Sequence, residues 1–136
     1  MSAVPILQPG VGEIPGDHYV RATPETVLWG RLPCAADTAV LELASGETVT
    51  FDTVSHEGIL DDQGKDPAAY FAAHGVAPEQ VLDDAIEIAA SVSRDVMADG
   101  PHVVVGPVHV RGAHPGDLLK ITVRPAHSLA TASAGP

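Results

Sequence analysis

Hydrophobic and polar positions along the chain fall into two regimes. From Thr48 to Val54 (TVTFDTV) they alternate, with Val49, Phe51 and Thr53 on one face and Thr50 and Asp52 on the other. That is the period-2 mark of a half-buried strand. An earlier apolar run, 39–43, reaches this segment through the turn Ala44-Ser45-Gly46-Glu47, and the two together predict a β-hairpin. Further strands are expected at 26–29, stopped by Gly30 and Pro33, at 102–110 (HVVVGPVHV), and at 118–123 (LLKITV). In the second of these, Gly106-Pro107 imposes either a bend between two strands or a bulge in one. The helical regime lies between. Pro67 is placed to open a short helix over 68–74 that Gly75 closes. Pro78 opens a second, from Glu79 to about Val92, whose apolar stripe is Val81, Leu82, Ala85, Ile88 and Ala89. Glu79, Asp83 and Asp84 fall near its N-terminus, where the helix dipole favours negative charge.

The remaining segments carry no period. Residues 1–25, punctuated by Gly10, Gly12, Gly16 and four prolines, read as an irregular lead-in. Residues 55–66 read as a polar loop, and 125–136 as a disordered tail. Strands on both sides of a helical excursion imply a mainly β, sandwich-like antiparallel domain over 26–124, with a helical insertion at about 67–92.

Composition narrows the function. Lys plus Arg number 7 against 18 Asp plus Glu, a formal net charge of −11, which repels phosphate backbones and anionic lipid. No nucleic-acid or membrane partner is expected. Neither a secretory leader nor an apolar run of the ~20 residues needed to cross a bilayer is visible. The single Cys34 excludes an internal disulfide and fits a reducing compartment, so the expected location is cytoplasmic.

Candidate chemistry concentrates in Asp52-Thr53-Val54-Ser55-His56-Glu57-Gly58. On a continuous strand Asp52 and His56 share a face about 13 Å apart, and a bend at Ser55 shortens that distance. Mixed imidazole and carboxylate ligands suit a divalent ion such as Zn²⁺ that keeps a position open for water. The plainer reading is a solvent-facing Asp52 beside turn-capping His56 and Glu57. No HExxH or CxxC spacing strengthens the metal reading, and no phosphate-binding loop or dinucleotide fingerprint occurs. The acidic run Asp61–Asp66 lacks the order of a calcium loop and reads as a solvated loop. Cys34 and the Ser55-His56 neighbours make no nucleophilic constellation. Trp29 reads as core, and His102, just ahead of its strand, as an exposed turn histidine, with a place at a sheet rim as the alternative.

Several strings taken together resemble the acetamidase/formamidase family: His18-Tyr19, Thr23–Gly30 (TPETVLWG), Ser45–Val49 (SGETV), Asp52–Gly58 (DTVSHEG), Leu82-Asp83-Asp84, Gly100–Val108 (GPHVVVGPV) and Val110–Leu119 (VRGAHPGDLL). They span about residues 16–124. The resemblance implies a largely β fold that hydrolyses short amides to a carboxylate and ammonia, with a divalent metal in some members. It covers only the N-terminal part of the longer family members, so a complementary C-terminal chain is an expected partner. In this reading Asp52, His56 and His102 are the metal ligands, Glu57 is the catalytic general base, and a small amide such as formamide or acetamide is the substrate. A truncated sandwich leaves strand edges unpaired, so a homo-oligomer is also expected. The alternative is a non-catalytic β domain that binds a small molecule or serves in subunit assembly.

Overall fold

The structure, a computed structural model, describes residues 6–124. Six three-residue strands pair two by two. β1 (His18–Val20) lies parallel to β4 (Val49–Phe51), β2 (Val27–Trp29) antiparallel to β5 (Val103–Val105), and β3 (Leu41–Leu43) parallel to β6 (Val108–Val110). Among the described residues helix, 3-10 turns included, and strand contribute similar shares, 18% and 15%. Three separate two-stranded sheets do not make the two facing layers of a sandwich, so the architecture is small mixed α/β rather than mainly β.

The expected hairpin does not form. The turn at 44–47 is present, with Gly46 at φ 90° and the Glu47 amide donating to the Ala44 carbonyl at 3.2 Å. Its two arms nevertheless leave for different partners. The Asp17 carboxylate accepts both the amide and the hydroxyl of Thr48 at 2.8 Å, and the His18 amide donates to the Thr48 carbonyl at 3.1 Å. This clamp aligns β4 with β1, a strand inside the stretch read as irregular. On the other arm, the Val40 amide donates to Pro107 at 2.9 Å and the Arg111 amide to Leu43 at 2.7 Å, which fastens β3 to β6. Gly106-Pro107 thus separates two strands with different partners. No strand forms at 118–123, and the tail expectation at 125–136 lies outside the described residues.

The helices α1 (Pro67–Ala73) and α2 (Asp83–Ser91) occupy the expected region. Asp66 caps α1 by accepting the Ala69 amide at 3.0 Å, Pro67 sits in its first turn, and Gly75 leaves it at φ 79°. The second helix starts later than its sequence suggests. Residues Pro78–Gln80 make one 3-10 turn, and Val81 and Leu82 then run extended. Gln8 from the lead-in holds that break open, its Nε2 donating to the Val81 carbonyl at 2.8 Å and its Oε1 accepting the Asp83 amide at 3.0 Å. A side chain more than 70 positions away therefore caps α2, and Val81 is buried in the gap.

Ala22, Val27, Trp29, Val54, Ile59, Ala85, Ile88 and Ala89 form the core, flanked by Leu60, Leu82, Val92, Val103 and Val105. The stripe of α2 thus meets β2, β5 and the chain just after β4. Ile59 and Ile88 are wholly buried, each worth about 1.5–3 kcal/mol.

Candidate functional site

Two backbone constraints bring the candidate groups together at one edge of this core. At the end of β2, Gly30 turns at φ 88°, with its amide donating to the His102 carbonyl and its carbonyl accepting from the Gly100 amide, both at 2.8 Å. A Cβ here would stand 2.5 Å from both the Asp99 Cβ and the Gly100 oxygen. Trp29 Nε1 donates to the Pro101 carbonyl at 2.9 Å. Together these contacts fix His102 at the entry to β5.

After β4, buried Val54 and Ile59 bracket a turn that displays Ser55, His56 and Glu57. Gly58 takes φ 84°, and a Cβ on it would meet the Phe71 and Tyr70 rings at 3.0 and 3.1 Å. Its amide donates to Gln63 Oε1 at 2.7 Å. The outcome is an edge-to-face pair, His56 against His102, with ring centroids 4.9 Å apart at 80°. Glu57 Oε1 lies 3.7 Å from His56 Nε2, while its Oε2 accepts from Gln63 Nε2 at 2.9 Å and the Tyr70 hydroxyl at 3.2 Å. Loss of solvent and the neighbouring Glu57 charge raise the Tyr70 phenol above its ordinary value. His102 also lines an open cleft of about 170 Å³ with Gly30, Arg31, Leu32, Gly100 and Val104.

Trp29 is core, as expected, but it also carries two cations. Arg94 Cζ and Lys65 Nζ lie 5.5 and 5.6 Å from its ring, within cation–π range. Arg94 reaches Asp61 Oδ2 at 2.9 Å and the carbonyls of Asp99 and Gly100 at 3.4 and 3.3 Å. It ties the loop at 61–65 to the segment that presents His102. The hydrogen bond from Arg94 holds the Asp61 carboxyl below its ordinary range, so this acid is a structural anchor rather than a freely solvated one.

Asp52 goes elsewhere. Its amide donates to the Val20 carbonyl at 3.0 Å, and its carboxylate accepts the Tyr19 hydroxyl. It lines a separate hollow of about 60 Å³ with Leu7, Pro9, Thr53, Leu82 and Asp84. Asp84, 2% exposed, accepts from Arg21 Nε at 2.7 Å. Burial raises its carboxyl despite that partner, while burial and the Asp52 bond push the Tyr19 phenol up to about 12. The structure therefore sets His56 against both Glu57 and His102 and directs Asp52 to Tyr19. β4 ends at Phe51 and the chain turns after Val54, so the strand that would have given Asp52 and His56 a common face does not continue. Among the described residues, no three His, Cys, Asp or Glu side chains are arranged to hold a metal ion.

Sequence reasoning missed Gln63, Tyr70, Lys65 and Arg94, which lie on separate segments with no shared motif, and it assigned Asp84 to the helix N-terminus without its burial. The other turn histidines do not converge on the site: His18 faces Glu47 at 3.2 Å and His114 stands beside Asp117 at 3.9 Å. Comparisons with protein-family models, curated proteins and solved structures return no match.

Proposed function

We propose that this chain is an amidohydrolase domain of the acetamidase/formamidase type, cleaving short aliphatic amides to a carboxylate and ammonia. The observation that carries the reading is His56, which stands against both Glu57 and His102, with His102 lining a cleft of about 170 Å³. An amide carbonyl is a poor electrophile, so the site must activate water and deliver a proton to the departing nitrogen. Glu57 is the base: Gln63 and Tyr70 occupy its Oε2, and Oε1 faces His56 and remains free to take the proton of a water. As water adds to the carbonyl carbon and the C–N bond breaks, that proton passes through His56 to the nitrogen, which leaves as ammonia. His102, on the cleft wall, contacts the amide. His56 and His102 are also the two imidazoles that a divalent ion such as Zn²⁺ accepts. Because Asp52 is engaged by Tyr19, the proton path above uses only the chain's own groups.

Ammonia release from formamide and acetamide, measured with and without added Zn²⁺, tests the proposal. Glu57→Gln and the double variant His56→Ala/His102→Ala are expected to lower the rate by about 10²-fold or more. Absence of release from the intact chain under both conditions, with a complementary chain also supplied, rejects the reading. Release that requires the complementary chain retains the chemistry and makes this chain one part of a split enzyme. One observation favours the alternative, a non-catalytic assembly domain: the apolar side chains of 118–123 lie uncovered.

A further inference from the structure

We infer that residues 118–124 (LLKITVR) form an arm that adds as an edge strand to a second copy of this chain. Leu118, Ile121 and Val123 are 99%, 81% and 89% exposed, and Leu119 is 51% exposed. Such a run of contiguous apolar side chains marks an interaction surface rather than ordinary surface scatter. The pattern is that of a strand, with Leu119, Ile121 and Val123 on one face and Lys120, Thr122 and Arg124 on the other. Yet no backbone hydrogen bond joins 118–124 to the other described residues. An extended, β-prone segment with open donors and acceptors is a template for pairing with another chain.

Charge identifies the occupant. Lys120 and Arg124 are the only ionisable side chains of the arm, and they belong to a chain whose net charge is −11. The arm is therefore a basic, apolar strand carried by an acidic body, and the body of a second copy is complementary to it. The acceptors are the three sheets, each of which has only two strands among the described residues, so that each strand is paired along one edge. Within one copy, turns follow β6, and 118–124 joins neither strand of the β3–β6 pair. Two reciprocal seven-residue arms make a contact smaller than the usual ~800 Å² per side, the size class of weak, transient association, for which a roughly micromolar dissociation constant is expected.

Sedimentation of the full chain from about 1 to 200 µM, a range that brackets such a constant, tests the inference. The unaltered chain is expected to pass from monomer to dimer across that range. Ile121→Glu, which sets a charge in the middle of the apolar face, is expected to remain monomeric. The double variant Lys120→Glu/Arg124→Glu is expected to weaken association at least tenfold. Because these side chains are exposed in the single copy, circular dichroism and Tm of the variants should match the parent at a concentration where the parent is monomeric. A chain that stays monomeric throughout, or a dimer that survives Ile121→Glu unchanged, overturns the inference. Neither outcome depends on amide hydrolysis, so the arm and the hydrolase reading stand or fall separately.

Discussion

Gly30 holds a backbone conformation that side-chain-bearing residues rarely adopt, in contact with a neighbour that leaves no room for a methyl group. The left-handed region alone costs a non-glycine residue about 1–2 kcal/mol, and here the overlap with the Asp99 Cβ and the Gly100 carbonyl adds to that. Gly30→Ala is expected to lose more than about 2 kcal/mol in urea unfolding and to displace His102, so that amide hydrolysis falls with stability. Titration of Tyr19 offers a check at the same scale. Its phenol is pushed up to about 12, first by burial and then by the bond to Asp52. A group raised on folding contributes stability that is complete below its unfolded value near 10 and is lost as pH rises through the folded value. Ultraviolet titration of phenolate should therefore show one tyrosine ionising near 12. In Asp52→Asn that value should fall but stay above 10, because burial, the larger cause, remains.

Elements in this protein depend on residues outside themselves. α2 has no cap of its own: its cap position is Leu82, which offers no side-chain acceptor, and Gln8 supplies one from the lead-in. Gln8→Ala is expected to cost about 0.5–2 kcal/mol in chemical denaturation, while a surface change at Gln80 should cost little. Loss of the tether to Val81 places the larger end of that range within reach. The same dependence explains which elements were legible in the sequence. α1 was readable because its punctuation is local, with Asp66 and Pro67 in front and Gly75 behind. The 44–47 turn was readable too, but the hairpin built on it was not. Alternation fixes which face of a strand is apolar and says nothing of its partner, and the Asp17–Thr48 clamp that claims β4 joins residues 31 positions apart. β1 was missed because it lies in the lead-in, where closely spaced Gly and Pro residues read as irregular chain.

For the molecule as a whole, a net charge of −11 and an uncovered apolar arm point in opposite directions. The charge keeps copies apart in solution, whereas the arm gives them a reason to associate at one place. Salt should expose this balance: the body-to-body repulsion is screened over about 8–10 Å at 0.1–0.15 M, and so is the attraction of Lys120 and Arg124 for the acidic body.

Sequence by itself determined the local chemistry: strand-forming and helix-forming stretches, the turns that punctuate them, the acidic surface, and the clustering of acid and imidazole at 52–58. Those follow from side-chain size, backbone freedom and charge, which act over a few residues. Tertiary structure decided the rest. It paired each strand with a remote partner, ended β4 early enough to separate Asp52 from His56, and brought His102 to His56 across nearly 50 positions. It also surrounded Glu57 and Trp29 with Gln63, Tyr70, Lys65 and Arg94. The reason is that a hydrogen bond or a ring contact depends on where two groups meet in space, and that meeting is set by how the core closes around Trp29, Ile59 and Ile88.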